Sequence, residues 1–376
     1  MSILTPFDAA RIGRDAAHAD RGGWLSARQQ ALLHRRGWLR MLAPRAAGGL
    51  ELDLPSAVRL EEAVAAVDGS MAWVLTLCAG AGWFAGFMAP AVAREIVATR
   101  RLCVAGSGAP SGFADIEEAA GDDGGLDIDL DLATARFTIS GRWDYASGAP
   151  MATHFTLNAV LRRSGRVLVD SAGKPRIRAF IVPARLVTLE PSWRTIGLRA
   201  SASHSYRVDC AAVDGGNGFA IDPERATAAG PLYRFPFMSL AFVTLSVNLA
   251  GMASHFLALA APAIGKRRQS GSGLPLSELP GVRARLEQAN AALAGARGEF
   301  YAALDGAWAR LAGGADLRES DCALLQARSL ALVEAARMAV DGIYPYCGLA
   351  AASADTALNR VWRDFHTATQ HTLLLP

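Results

Sequence analysis

The sequence has few cysteines, and their spacing forms no recognisable pattern. The five residues, Cys78, Cys103, Cys210, Cys322 and Cys347, are an odd number and include no C-x-x-C pair. This argues against both a disulfide framework and a zinc knuckle. We therefore expect buried free thiols, as is typical of a protein from a reducing cytoplasm.

The chain also lacks a strong charge of either sign. Its 38 Lys and Arg residues nearly balance 35 Asp and Glu residues and are scattered, so no basic stripe could follow a phosphate backbone. We expect no nucleic-acid partner. The acidic stretch from Asp115 to Asp131 has no histidine and no regular ligand spacing. We interpret it as a solvated loop or an edge of the β domain, and we expect no metal site.

No export signal is evident, because charges occupy the N-terminal positions where a signal peptide needs its apolar core. The uncharged run from Phe235 to Gly265 is long enough to cross a bilayer. However, Asn248 and His255 in its interior fit a helix buried among other protein helices better than a helix facing lipid. We therefore expect a cytoplasmic protein with no membrane partner.

Apolar residues make up 51% of the chain, which is ample for a large core. The patterns predict a mostly α-helical fold with three domains. They are an N-terminal helical domain over residues 1–104, a central antiparallel β domain, barrel or sandwich, over 105–221, and a C-terminal four-helix bundle over 222–376.

Local patterns place the elements within these domains. Helical spacing runs from Ala27 to Arg101 with a turn at residues 44–49, and Asp68 is predicted to cap a helix near Met71. Strands are predicted at residues 133–140, 155–161, 176–182 and 205–213. Bundle helices are predicted at residues 235–265, 280–311, 318–344 and 356–372.

A first motif, ISGRWDYASG at residues 139–148, lies at the end of a predicted strand. Its aromatic residues can form an apolar wall that packs against a planar ring. The Ser147 hydroxyl and a backbone N–H can at the same time face heteroatoms of that ring. The alternative is a strand and turn with core aromatics.

A second motif, WRTIGLRASASH, occupies residues 193–204. Its small residues would let backbone and hydroxyl groups approach a ligand closely, and Arg199 offers a fixed fork for an anion or carboxylate. An ordinary loop between two strands is the alternative interpretation.

The third motif is the chain's end, WRDFHTATQH at residues 362–371. Trp362 and His366 are four residues apart and share a helical face, whereas His371 points elsewhere if the helix continues. Histidine is the side chain best suited to proton transfer near neutral pH. A lone helical histidine, by contrast, is usually a packed or surface residue.

Together the motifs resemble those of flavin-dependent monooxygenases that share the acyl-CoA dehydrogenase fold. Examples are the oxygenase components of para-hydroxyphenylacetate and secosteroid hydroxylases, and dibenzothiophene monooxygenase. The resemblance implies that His371 is a catalytic acid–base group and that Ser147 donates a hydrogen bond to the oxygenated ring. It also implies a set of flavin-binding residues: Trp143, Ser147, Gly148, Trp193, Gly197, Arg199, Ser201, Ser203, Arg267, Trp362, Arg363 and His366.

The resemblance further implies the reaction and the partners. Reduced flavin would react with O2 through a hydroperoxide and oxygenate a small aromatic substrate. No G-x-G-x-x-G run follows a predicted strand, so we expect a separate flavin reductase. Residues 266–272 lack the aromatic of the dinucleotide-binding element of acyl-CoA dehydrogenases, which favours FMN over FAD. A homotetramer is the usual assembly of this fold.

Two alternatives remain open. The first is an FAD-dependent dehydrogenase or oxidase that acts on an acyl thioester. Residues 342–353 contain no acid that could serve as its base, and Glu287, Glu299 and Glu334 are expected at the helix surface. The second is a catalytically silent binding or structural subunit. Residues 78–84 also lack a histidine that some relatives have, so no relative's substrate can be transferred to this chain.

Overall fold

The computed structural model describes residues 4–117, 132 and 134–375. Helices occupy both ends of the chain and strands occupy its middle, which confirms the predicted order of the three segments. Most of the acidic stretch that we interpret as a solvated loop lies outside the described residues.

Five α-helices form the first segment, and most of them begin with a side-chain cap. Asp68 accepts a hydrogen bond from the Met71 amide at 3.2 Å, which confirms the predicted cap. The first helix was not predicted, although Thr5 caps it and Pro6 opens it. The helices are α1 Pro6–Gly22, α2 Ala27–Arg35, α3 Leu54–Ala65, α4 Gly69–Trp83 and α5 Pro90–Val97.

The central segment forms a nine-stranded sheet around its own apolar core. Seven strands follow the order β7-β8-β3-β2-β4-β6-β9, and β1 and β5 also pair with β4. The strands are β1 Val104–Gly106, β2 Gly112–Ile116, β3 Arg136–Ala146, β4 His154–Arg163, β5 Arg166–Val167, β6 Ile177–Pro183, β7 Thr188–Glu190, β8 His204–Asp214 and β9 Gly218–Phe219.

The prediction of a purely antiparallel domain is wrong. Strands β1 and β2 both pair with β4 in parallel, with Val104 opposite His154 and Gly112 opposite Ala159. The pairing direction of two distant strands depends on the route of the chain between them, which a strand's own alternation of residues does not encode. The sheet is therefore mixed.

The last segment is a helical bundle that also packs on the first segment. Its helices are α6 Pro231–Arg234, α7 Phe237–Gly265, α8 Pro280–Ala312, α9 Glu319–Cys347, α10 Leu349–Ala352 and α11 Ala357–Ala368. Two helical stretches, Gly69–Phe87 and Phe237–Gly265, are long and apolar enough to cross a membrane. Most of each stretch is buried inside the protein, which favours core helices.

The final helix ends earlier than predicted. It stops at Ala368, and Thr369 takes the cap position with its hydroxyl on the carbonyl of His366. The chain then forms a short 3-10 turn, Thr372–Leu374, for which the side chain of His371 is the cap. His371 therefore lies outside the helix that carries Trp362 and His366.

Candidate active site

The first motif changes direction at the end of β3. The pairing of β3 with β8 shifts register between Trp143 and Ala146, and Tyr145 adopts a left-handed backbone with φ of 68°. This bulge keeps Trp143 in the sheet core and turns Tyr145 to the outside. The bulge is followed by Ser147, which is buried, and by Gly148, whose φ of 74° is a backbone conformation that glycine adopts readily.

The second motif folds as a tight turn beside it. Leu198 and Ala202, at φ of 50° and 45°, flank the 3-10 turn Arg199–Ser201. Left-handed backbone at residues other than glycine stores strain and is concentrated at functional sites. The carbonyl of Ser201 accepts a hydrogen bond from the amide of Gly148 at 2.8 Å, which joins the two motifs.

Three buried serine hydroxyls meet where these motifs join. The Ser203 hydroxyl lies 2.8 Å from that of Ser147 and 2.7 Å from that of Ser201, and each serine is at most 4% exposed. Ser203 has one hydroxyl proton and can donate it to only one neighbour. The row can therefore leave an end hydroxyl free to donate to a ligand.

A cavity of about 320 Å³ adjoins this row. None of its lining residues is charged: Trp24, Leu25, Gln30, Val74, Gly148, Pro150, Met151, Ala200, Ser201 and Ala202. Apolar walls with a few convergent polar groups are typical of sites for planar organic ligands. A flavin ring, which is flat and carries acceptor atoms along one edge, suits this combination of apolar contact and hydroxyl donors.

Two cysteines lie behind the Ser147–Gly148 turn. The Cys78 thiol donates to the carbonyl of Ser147 at 3.4 Å, and the sulfur of Cys103 lies 3.6 Å from that of Cys78. A side chain at Gly148 would come within 3.0 Å of the Cys78 sulfur, so the turn requires glycine. All five cysteines are free as expected, but Cys210 is exposed and Cys322 is partly exposed, which corrects the prediction that all are buried.

The last helix, α11, holds the second motif in place through contacts of Arg363 and Asp364, which we call the clamp. A β-carbon at Gly197 would lie 1.9 Å from the carbonyl oxygen of Arg363, so only glycine allows this approach. The guanidinium of Arg363 donates to the carbonyl of Ile196 and forms a buried ion pair with Asp20 at 2.8 Å. These bonds, with a further one to Asn359, engage most of the Arg363 donors, and its role in flavin binding stays a prediction.

Asp364 completes this clamp and is itself deeply buried. Its carboxyl accepts a hydrogen bond from the amide of Leu198 at 2.5 Å. Burial, with further contributions from the carboxyl groups of Asp68 and Asp20, raises the pKa of Asp364 to about 8. The carboxyl therefore keeps its proton at neutral pH, and the clamp holds no uncompensated charge there.

His371 lies behind α4, against the indole of Trp73. The two ring centroids are 6.0 Å apart and meet edge to face, and Trp73 immediately precedes the cavity residue Val74. The Nδ1 atom accepts a hydrogen bond from the amide of Leu373 at 3.3 Å, which leaves Nε2 for other partners. Burial lowers the pKa of His371, so the imidazole is neutral at pH 7.

The remaining residues of the third motif face the bundle. Trp362 stacks on Tyr344 with ring centroids 4.9 Å apart and lies 4.4 Å from the ring of His366. The Nε2 atom of His366 is 3.2 Å from a carboxylate oxygen of Asp341 on α9. The expectation that these two residues share a helical face is confirmed, but neither lines the described cavity, so their flavin-binding role stays a prediction.

Trp143 is placed differently from its predicted role. Its ring has no exposed surface, stacks on Tyr206 at 5.6 Å, and donates from Nε1 to the carbonyl of Asn158. Its ring therefore lies in the sheet core, which favours the alternative of a core aromatic at this position. The role of Trp143 in flavin binding stays a prediction.

Three further predicted residues lie apart from the serine row. Trp193 is half-buried and donates from Nε1 to the carbonyl of Leu198, so it supports the second motif from within. Arg199 is exposed on the turn. Arg267 donates to the carbonyl of Tyr346 at the end of α9. The roles of these three in flavin binding stay predictions.

Several cavity residues were missed in the sequence. Trp24 and Leu25 lie in the connection between α1 and α2, Gln30 lies in the first turn of α2, and Met151 follows the first motif. The residues SARQ at 26–29, a serine followed three positions later by glutamine, are a helix-start signal that could have located this connection. No local pattern indicates that it faces the strand-end motifs.

Comparisons with known proteins agree with this geometry. Residues 243–376 match the family model described as acyl-CoA dehydrogenase, C-terminal domain. An indole-3-acetate monooxygenase from Pseudomonas putida is 26% identical over 98% of this chain and 87% of its own length. The HsaA oxygenase subunit of a flavin-dependent monooxygenase from Rhodococcus jostii is 24% identical over 90% of this chain and 85% of its own length. Both of these relatives are named as monooxygenases, and the second is named as flavin-dependent.

Solved structures establish the fold. XiaF from Streptomyces sp., solved with FADH2 and glycerol, has a TM-score of 0.84 at 19% identity and covers 97% of this chain and 89% of its own. TdsC from Paenibacillus sp. A11-2, solved with FMN and indole, has a TM-score of 0.74 at 19% identity over 97% and 92%. The predicted acyl-CoA dehydrogenase fold is confirmed, with a mixed sheet in its centre.

The core position of Trp143 can be tested by substitution. We expect Trp143→Phe to lower the free energy of unfolding by about 1–3 kcal/mol, because buried volume and one hydrogen bond are lost. Flavin affinity of the folded variant should stay within about twofold of the wild type. Urea denaturation and fluorescence titration with FMN measure the two quantities. A large loss of flavin affinity without a loss of stability would return Trp143 to the binding site.

The raised pKa of Asp364 predicts a pH-dependent stability. The folded state holds this proton up to a pH of about 8, whereas an unfolded aspartate loses it near its ordinary pKa of 3.8. The contribution of Asp364 to the free energy of unfolding is therefore greatest at low pH. It falls as the pH rises between these two pKa values, by up to about 1.4 kcal/mol per pH unit. In Asp364→Asn, which keeps an acceptor for Leu198 but cannot ionise, this decline should disappear.

Urea denaturation from pH 5 to pH 9 measures the effect. Asp316→Asn, at an exposed acid paired with Arg234, is the matched control. Equal pH dependence of unfolding in the wild type, the control and Asp364→Asn would contradict a protonated Asp364.

Proposed function

We propose that the chain is the oxygenase component of a two-component flavin-dependent monooxygenase. It takes reduced FMN from a separate flavin reductase and uses O2 to oxygenate a small aromatic molecule. The observation that carries this proposal is the buried row of Ser147, Ser203 and Ser201 beside an uncharged cavity. The names of the relatives, which are monooxygenases and hydroxylases, support it.

Each part of the site has a role in this proposal. The bound flavin supplies the activation of O2. One end hydroxyl of the serine row donates a hydrogen bond to the ring and fixes its orientation, and Gly148 allows the backbone to approach it. The apolar walls keep water away from the reacting atoms. Neutral His371, whose Nε2 carries the ring proton while Nδ1 accepts from Leu373, is the side chain that we assign to proton transfer with the substrate.

The identity of the flavin is a finer part of the proposal. One solved relative holds FADH2 and another holds FMN, which supports a reduced flavin of either kind. We favour FMN because the segment from residue 266 to 272 lacks an aromatic residue for the second nucleotide. Arg267 and Arg199 are the exposed cations that we assign to the flavin phosphate or a substrate anion.

We further propose a homotetramer in the cytoplasm. The free thiols of the chain support a reducing compartment. Large apolar side chains exposed on α9 and α10, at Met338 and Leu349, support contacts between copies of the chain. Tetramers are also the usual assembly of this fold.

The family model that matches the C-terminal segment favours one alternative, an acyl-thioester dehydrogenase. Such an enzyme needs a carboxylate base beside its flavin. Glu287, Glu299 and Glu334 are exposed and lie beside arginines on the bundle surface, as expected from the sequence. No carboxylate lines the described cavity either. These placements argue against this alternative.

Rapid mixing of the protein, reduced FMN and O2 tests the proposal. We expect reduced FMN to bind and its reoxidation to become slower than in buffer, with a transient absorbance that neither free flavin state has. Tight binding of oxidised FAD together with reduction by an acyl-CoA would establish the alternative instead. No binding of reduced flavin would leave a catalytically silent subunit.

Substitution of His371 tests its role in proton transfer. We expect His371→Ala to bind reduced FMN normally but to slow product formation by roughly 100-fold, the scale of a lost acid–base group, or to divert O2 to hydrogen peroxide. Product and peroxide per O2 consumed are measured together with a small panel of phenols and indoles. His18→Ala, at an exposed position on α1, is the control. Unchanged rate and peroxide yield in His371→Ala would exclude this residue from the reaction.

A further inference from the structure

The cavity has one large side chain that is only partly packed. Trp24 lines it, yet 59% of the Trp24 surface is exposed to solvent. Exposure of so large an apolar side chain at the mouth of a cavity is unfavourable unless something else covers the ring. Leu25 and Val74, which also line the cavity, are buried.

The backbone on both sides of Trp24 is fixed. Before it, the amide of Gly23 donates to the carbonyl of Ala19 at 2.9 Å and closes α1. After it, the Ser26 hydroxyl caps α2 and also donates to Asp15 at 2.6 Å. Movement at this position is therefore largely rotation of the Trp24 side chain about its own bonds, and the loop need not rearrange.

Gln30, in helix α2, stabilises the connection between α1 and α2. Its side-chain amide donates to the carbonyl of Leu25 at 2.8 Å, which leaves its carbonyl oxygen as an acceptor in the cavity wall. The opposite wall carries Met151 and Pro150, and no lining residue is charged. An uncharged planar ring with a hydroxyl donor fits between these walls.

We propose that Trp24 closes the mouth of the cavity over an uncharged aromatic substrate and keeps water out while O2 is consumed. This inference rests on the proposed monooxygenase function and adds the residue that covers the substrate. The indole rotates inward, stacks on the substrate ring and buries the face that is exposed in the free protein. Gln30 accepts a hydrogen bond from the substrate's hydroxyl group. Water exclusion favours oxygen transfer over release of hydrogen peroxide.

The experiment compares four proteins: wild type, Trp24→Ala, Trp24→Phe and Phe7→Ala. Phe7 is the matched control, because it is a 65% exposed aromatic on the neighbouring helix α1 and does not line the cavity. Anaerobic titration gives the affinity for reduced FMN, and mixing with O2 in the presence of the uncharged aromatic resorcinol gives the rate of peroxide release. Light scattering gives the oligomeric state.

We expect all four proteins to bind reduced FMN with similar affinity. Trp24→Ala should release peroxide about tenfold faster than wild type. Trp24→Phe should release it at nearly the wild-type rate, because phenylalanine keeps a ring that can stack. Phe7→Ala should match wild type. Equal peroxide release by Trp24→Ala and Phe7→Ala would overturn the inference. So would dissociation of the assembly by Trp24→Ala alone, which would make Trp24 a subunit contact.

A second readout needs no turnover. Acrylamide quenches the fluorescence of exposed tryptophans. The difference in quenching between wild type and Trp24→Phe is the contribution of Trp24. Resorcinol, an uncharged aromatic diol, should reduce the quenching of Trp24 by acrylamide severalfold. Cyclohexane-1,3-diol, which lacks the flat ring, should leave this quenching unchanged. Equal shielding by both diols would overturn stacking. Failure of wild type to bind reduced FMN would instead be a failure of the proposed function itself.

Discussion

The close contact between Gly197 and the carbonyl of Arg363 is the constraint on which the site depends. Any side chain at residue 197 would collide with the last helix, so the loop and the helix fit only with glycine there. Arg363 and Asp364 then hold the loop from two sides, through the carbonyl of Ile196 and the amide of Leu198. A chain end that would otherwise fray is thereby tied to the site.

The clamp explains how hydroxyl groups come to line an apolar cavity. With residue 198 held, the strained turn of residues 199–201 presents Ser201 and Ser203 to Ser147, and the Gly148 amide joins the turn to strand β3. Such a wall is polar at a few fixed atoms and apolar elsewhere. Preorganised donors of this kind stabilise developing charge on a ligand without having to reorient, whereas water must reorient.

Much of the fold could be predicted from the sequence, because strand alternation and helical spacing are local signals. The parallel pairing of β1 and β2 with β4 could not, since it depends on the path of the chain. The same holds within the site. The motif positions of Ser147 and Ser201 were predicted, but the role of Arg363 depends on Asp20, 343 residues away, and on Ile196, 167 residues away. A core aromatic and a ligand-facing aromatic look alike in sequence, so no pattern could show that the Trp143 ring lies in the sheet core.

The most direct test of the account is a crystal structure of the protein with FMN, reduced in the crystal without O2. The account predicts that the flavin ring lies in the cavity with a ring heteroatom within hydrogen-bonding distance of the Ser147 or Ser201 hydroxyl, and with the clamp of Gly197 and Arg363 unchanged. A flavin bound elsewhere, with the three serines still bonded only to one another, would contradict it.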